Sequence, residues 1–200
     1  MTNYPIIVYV DQLTNRVARW TAMRPNTCPA DIDDFQWFVI QKNNLPEIPQ
    51  VDKGIHVLEH HLMSGFSVAA GQIPDSDIQR IESLNVKADC LEQLSRSVSY
   101  MRFLKNRNLF ANSELVPMYI KEIEEYKETL TVGPLLGSLV DDDADVPAAI
   151  EEFKIKYLTY KDFLIQSESV YNKWSRKIKQ SDDPVAVLEK MKSSIGPFLR

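Results

Sequence analysis

The sequence predicts an α+β protein in which a small N-terminal antiparallel sheet domain over residues 1–73 precedes a long-helix hairpin or bundle over residues 74–200. Three observations carry this expectation. Short β-branched and aromatic runs separated by turn residues fill the first third. From Pro74 onward, apolar residues recur at steps of three and four, the period of an α-helix. One stretch is regular enough to define a single long helix. Ile150, Phe153, Tyr157, Tyr160, Leu164, Ser167, Tyr171, Trp174 and Ile178 are spaced alternately by three and four, which keeps one narrow seam facing a partner surface over about four heptads.

In chain order, Tyr4 to Val10 is the first strand, Asp11 to Asn15 is turn chemistry, and Arg16 to Met23 returns as the second strand of a hairpin. A segment with Pro25, Pro29, Asp31, Asp33 and Asp34 suits a loop before a third strand, Phe35 to Ile40. Phe66 to Ala70 is a candidate fourth. Between these last two, Asp52 to Ser64 places Ile55, Leu58 and Leu62 at helical spacing and ends at Gly65, which suits a helix C-terminus; one short helix is expected there. The first long helix runs from Asp75 to about Leu104, with Ile78, Ile81, Leu84, Ala88, Leu91, Leu94, Val98, Met101 and Leu104 inward. Ser113 is expected to cap a second helix with Val116, Ile120, Ile123, Tyr126 and Leu130 on one face, stopped by Gly133-Pro134. The heptad helix starts near Pro147. A last helix opens at Asp183-Pro184, since aspartate followed by proline at the first helical position is a strong start signal.

Composition narrows the function classes. With 44% hydrophobic and 26% charged residues, the chain has the balance of an ordinary globular protein. A formal net charge of −5 argues against nucleic-acid binding, whose affinity comes mainly from neutralised phosphates. Cys28 and Cys90 make no disulfide framework, so reduced thiols are expected. The apolar run Ile6 to Val10 is too short for a signal sequence core or a membrane span; no membrane association is expected, and synthesis in the cytoplasm is. Charge is uneven along the helical part. From Glu114 to Glu152 the only bases are Lys121 and Lys127 among many carboxylates, whereas from Lys173 to Arg200 bases outnumber acids. These segments are electrically complementary, so contact between copies or with a charged neighbour is expected.

Candidate chemistry is sparse. His56, Glu59 and His60 form an H-x-x-E-H string, which on a helix would put two imidazoles on one face beside a carboxylate. Extended back to Gly54, the string resembles the zinc helix of pitrilysin-type peptidases and of S-ribosylhomocysteine lyases, which implies zinc and a hydrolase or lyase activity. Both families use a further Glu or Cys well downstream, and no residue here occupies that place in matching surroundings. The expectation is therefore no cofactor and no catalytic residue, with zinc on His56, Glu59 and His60 as the alternative. Asp141, Asp143, Asp145 and Glu152 match the acidic positions of a calcium loop, but Val146 and Pro147 stand where its sharp turn is needed.

The aromatic seam predicts contact instead of chemistry. Its tyrosines and tryptophan have polar tips suited to a wet rim, and Lys173, Arg176 and Lys177 surround only its C-terminal part. Tyr171, Trp174, Ile178, Lys173, Arg176 and Lys177 are thus expected to bind a partner, with Ile150, Phe153 and Tyr157 internal. The opening hairpin, the run Asp33-Asp34-Phe35-Gln36-Trp37-Phe38 and the long helices after it resemble tail-fibre and tail-assembly proteins of tailed bacteriophages, either chaperones or small virion adaptors. That resemblance implies a non-enzymatic structural or assembly role, partners among virion or fibre subunits or further copies of the chain, and a place in the host cytoplasm during synthesis or in the virion.

Overall fold

Ile6, Ile7, Val8, Tyr9 and Val10 are all buried, because the strand they form has neighbours on both edges and on both faces. The computed structural model describes residues 4–23, 32–47, 55–110, 112–142 and 145–195. In it β1 (Pro5–Asp11) lies between β2 (Val17–Ala22) and β3 (Phe35–Gln41), antiparallel to each. The β1–β2 turn closes with Asp11 N–H donating to the Arg16 carbonyl (2.9 Å) and Asn15 N–H donating to the Asp11 carbonyl (2.8 Å). Asn15 takes φ 55°, a left-handed conformation that asparagine tolerates better than most residues. A bulge after Tyr9 leaves Ala18 without a register partner.

The expected short helix over Asp52–Ser64 is not what forms among the described residues of that segment. Ile55–Val57 is one 3-10 turn, and Leu58–His61 is a strand, β4, which pairs antiparallel with β5 (Gly65–Val68). Leu62, expected inward, is 90% exposed at the tip of this second hairpin. Gly65 does have the positive φ (78°) that the sequence suggested, but it serves a hairpin turn and not a helix end. Tertiary packing decides this. Leu58 and Val57 enter a core with Ile6, Val8, Val10, Val17 and Leu45, and Phe66 and Phe38 pack against it. The second sheet is tied to the first by an Arg16–Glu59 bridge and by His60 N–H donating to the Asn15 carbonyl (2.8 Å).

The helices are α1 (Asp75–Leu109), α2 (Val116–Thr129), α3 (Pro134–Gly137), α4 (Val146–Gln180) and α5 (Pro184–Ile195). The fold class is thus α+β, a small antiparallel sheet followed by long helices, as expected. The residues expected to face inward on α1 do so, from Ile81 through Met101. Asp183 caps α5, its Oδ1 accepting the Ala186 N–H at 3.0 Å. The end of α2 departs from expectation. It stops at Leu130, which is 76% exposed with φ 56°, before Gly133-Pro134 is reached. Gly133-Pro134 instead opens α3, where the Glu122 carboxylate accepts the Leu135 and Leu136 N–H groups at 3.0 and 2.9 Å. A Cβ at Gly133 would come within 2.5 Å of that carboxylate, so a larger residue there would push the Glu122 side chain aside.

Two compact units divide the chain, and their boundary differs from the one expected at residue 73. One comprises Met1–Gln93 with Ser175–Lys190, the other Leu94–Trp174 with Met191–Arg200. Both long helices contribute to both units. Sequence texture changes at Pro74, but the start of α1 belongs with the sheet because its side chains are spent there. In the first unit Arg80 binds Asp11, Asn85 donates to the Ala18 carbonyl (3.0 Å), and Arg19 binds Asp89.

Candidate functional site

Asp11 is the one fully buried acid among the described residues, and its burial is matched by its partners. Arg80 on α1 donates through Nε to both carboxylate oxygens (3.1 Å each) and through Nη2 to Oδ1 (3.0 Å). Thr14 donates to Oδ2 at 2.7 Å. Burial alone would raise the Asp11 pKa. The hydrogen bonds from Arg80 and Thr14 outweigh it and hold the carboxyl below its ordinary value. Arg80 also reaches Asp34 Oδ1 (2.8 Å), so one guanidinium ties the hairpin turn and the start of β3 to α1. This network anchors a helix and leaves Asp11 no face open to a ligand.

The H-x-x-E-H residues do not converge. His56 lies in the 3-10 turn, and Glu59 and His60 are successive residues of β4, so their side chains point to opposite faces. Glu59 pairs with Arg16 at 2.9 Å. His60 lies against Phe38 and Phe66, with ring centroids 4.3 and 5.1 Å away. Burial and then the neighbouring His61 lower its pKa, which favours the neutral ring. His61, the third histidine, meets Ser67 Oγ at 2.9 Å. Among the described residues no three His, Cys, Asp or Glu side chains group to hold a metal ion. Glu152 of the acidic string pairs with Lys156, while Asp143 and likewise Cys28 lie outside the described residues. Protein purified without chelator is expected to carry no stoichiometric zinc by elemental analysis. His60→Ala should cost about 1 kcal/mol through lost ring contacts, and His60→Phe should recover most of it. Stoichiometric zinc that disappears in His60→Phe would reverse this reading.

The aromatic seam of α4 is internal along much of its length. Ile150, Phe153, Ser167 and Ile178 are buried and the other five positions are half-buried. In the second unit, Phe153 meets Phe110, Tyr119 and Tyr157 at centroid distances of 5.5, 5.4 and 6.3 Å. Ser167, the polar member of the stripe, accepts from Arg102 Nε at 2.7 Å, and Arg102 Nη2 binds Glu168 at 2.6 Å. As the chain advances from Arg102 and Lys105 of α1 to Phe110 just beyond it, the partners on α4 retreat from Glu168 through Phe163 to Phe153, an antiparallel pairing.

Of the six residues expected to bind a partner, Lys173, Arg176 and Lys177 are exposed, and Tyr171 and Trp174 are half-buried. Ile178 is 0% exposed, so it belongs to the interior and is no part of an exposed surface. Its place on the seam is kept inward by the same 3.5-residue rhythm that buries Ile150.

The feature that sequence reasoning missed lies at the other end of the seam. A cleft of about 430 Å³ opens in the second unit between the end of α1, the start of α2, Ser138-Leu139 and the start of α4. Phe110, Val116, Tyr119, Leu139, Ala149 and Phe153 supply its apolar lining; Asn112, Ser138 and a Glu152–Lys156 pair (2.6 Å) supply polar groups. The Lys156 ammonium holds the Glu152 carboxyl below its usual range. A hint was present in the sequence, since the acid-rich span Glu114–Glu152 contributes most of this lining. The cleft itself depends on how three helix ends meet, which periodicity does not encode.

Compared with protein-family profiles, with curated proteins and with solved structures, the chain matches none. Among the described residues, no helix is long and apolar enough to cross a membrane.

Proposed function

We propose that this is a non-enzymatic structural or assembly protein whose helical region holds a partner subunit, with the cleft of the second unit seating an apolar anchor on a basic segment of that partner. The observation that carries the reading is the cleft's composition. Seven of its lining residues are aromatic or aliphatic, beside Asn112, Ser138 and the Glu152–Lys156 pair, and the sequence span Glu114–Glu152, which supplies six of the eleven lining residues, carries only two bases against many carboxylates. An apolar pocket supplies affinity and an acidic surround selects a basic neighbour. The resemblance of the opening hairpin and third strand to tail-fibre and tail-assembly proteins suggests the partner class: a subunit of a tailed-phage virion or fibre, met in the host cytoplasm or in the virion.

Labelled peptides of about ten residues test this, one set with Lys and Arg around a single Trp or Leu, the other with Asp and Glu in their place. The basic set should bind and weaken with salt, the acidic set should not. Ala149→Trp, which fills the cleft, should weaken binding about tenfold or more. Failure of the basic set to bind, or binding that Ala149→Trp leaves unchanged, would remove the proposal.

A further inference from the structure

We propose that β3 is a self-pairing edge, through which two copies of this chain join antiparallel about Phe38 into one continuous sheet of order β2-β1-β3-β3-β1-β2. β3 is the terminal strand of its sheet, and among the described residues no strand pairs with its outer edge. Its hydrogen-bonding parity can be read from the flanking bonds. Lys42 N–H donates to the Tyr4 carbonyl (3.0 Å) and Gln12 N–H to the Asp34 carbonyl (2.9 Å). Even-numbered residues of β3 therefore bond to β1, and Phe35, Trp37, Val39 and Gln41 turn their backbone groups outward. Of these odd positions Phe35 is buried, while Trp37 at 49% and Val39 at 47% carry exposed apolar side chains. They are uncovered because α1 starts over Asp11 and Asp34 and then crosses toward Ala18 and Arg19 of β2, away from β3.

Natural edge strands are commonly guarded by a lysine, a proline or a bulge. Phe35-Gln36-Trp37-Phe38-Val39-Ile40-Gln41 contains no charge and no proline, and its pairing with β1 is regular throughout. The occupant follows from the register. An antiparallel copy centred on Phe38 sets Trp37 opposite Val39 twice, with odd residues facing odd, so that each such pair exchanges main-chain bonds and joins an aromatic to a β-branched side chain. The same register sets Asp34 of one copy, 53% exposed beside its own Arg80, opposite Lys42 of the other, whose ammonium lies 4.3 Å from the centroid of its own Trp20 ring, at both ends. A strand that is uncharged in the middle, acidic before and basic after fits its own antiparallel copy, and an isologous two-fold contact closes without forming a filament.

Light scattering after size-exclusion should give the wild-type chain twice its 23.0 kDa mass. Val39→Pro removes an outward N–H without breaking a bond to β1 and should return the single-chain mass with unchanged far-UV circular dichroism; Trp37→Lys should do the same by charge. On a Cys28→Ser background, mixing Trp37→Cys chains with Val39→Cys chains should give a disulfide-linked pair that neither variant forms alone as readily. If Val39→Pro fails to fold, the exposed Trp37→Lys position decides. Binding of basic peptides at the cleft is a separate property, which Val39→Pro should retain. A wild-type chain that stays single up to about 100 µM, where even weak contacts assemble, would overturn the proposal. So would a dimer that survives both Val39→Pro and Trp37→Lys, or cross-linking of each cysteine variant alone as readily as the mixture.

Discussion

Arg80→Ala should be among the most damaging single substitutions in this protein, costing about 3–5 kcal/mol, because it leaves the fully buried Asp11 carboxylate without its cation. For a chain of this length that corresponds to a loss of about 6–20 °C in melting temperature. The penalty belongs to the orphaned charge more than to the pair. Asp11→Asn should therefore cost less, since Arg80 is 31% exposed and can turn to water and Asp34. A double-mutant cycle with Arg80→Met and Asp11→Leu should show coupling well above that of the exposed Lys121–Glu125 pair. Additive effects at Arg80 and Asp11 would contradict the account.

The same pair sets a pH dependence. The Asp11 carboxyl is held below its ordinary value of 3.8 in the folded chain, so the unfolded chain takes up its proton first as pH falls. The stability this gives is fully present above the unfolded pKa near 3.8 and is lost as pH drops through the lower folded value. His60 acts in the same direction at higher pH. Its folded pKa is lowered from 6.5, so its contribution is present above 6.5 and declines below it. Denaturant midpoints should decline as pH falls below 6.5 and decline further below 3.8, and His60→Phe should remove only the upper decline.

The second large effect is expected on the seam. Phe153→Ala should destabilise the chain by about 3–5 kcal/mol, because Phe153 is 8% exposed and packs against three other rings. Ile178→Ala should cost about 2–5 kcal/mol, since Ile178 is fully buried. Both losses should appear in the isolated chain, without any partner. By contrast, Lys173→Ala and Arg176→Ala, at exposed positions, should change stability by less than about 0.5 kcal/mol. Thermal melts of the four variants separate the cases. A Phe153→Ala chain as stable as wild type would show that the ring cluster is loosely packed, and an Ile178→Ala chain of unchanged stability would restore Ile178 to the candidate partner surface. Phe153→Ala should also enlarge the cleft, so among the folded population its peptide affinity should change while that of Ile178→Ala should not.

Local signals were sufficient wherever an element's period, start and stop agreed. The hairpin of β1 and β2, strand β3, helices α1 and α4, and the Asp183 cap of α5 were all legible, because alternation, 3.6-residue periodicity and capping act over a few residues and owe nothing to distant parts of the chain. The inward face of α1 was legible for the same reason.

Where two local readings competed, long-range contacts chose between them. Ile55, Leu58 and Leu62 satisfy a helical period, yet the segment after Val57 is a strand because Leu58 enters the β1 core and His60 packs on Phe38 and Phe66, contacts that a helix would forgo. That choice also separated the H-x-x-E-H residues. The heptad of α4 announced a contact face, but periodicity alone does not say whether a face meets the same chain or another; the aromatic cluster around Phe153 and the Arg102–Ser167 bond answer that for the second unit. The Asp11–Arg80 pair joins residues far apart in sequence whose types are ordinary on the surface, and only folding made one of them a buried charge. The cleft near Phe153 and the bare edge of β3 are spaces left by packing, set by where helix ends meet and which strand α1 crosses, quantities carried by no residue taken alone.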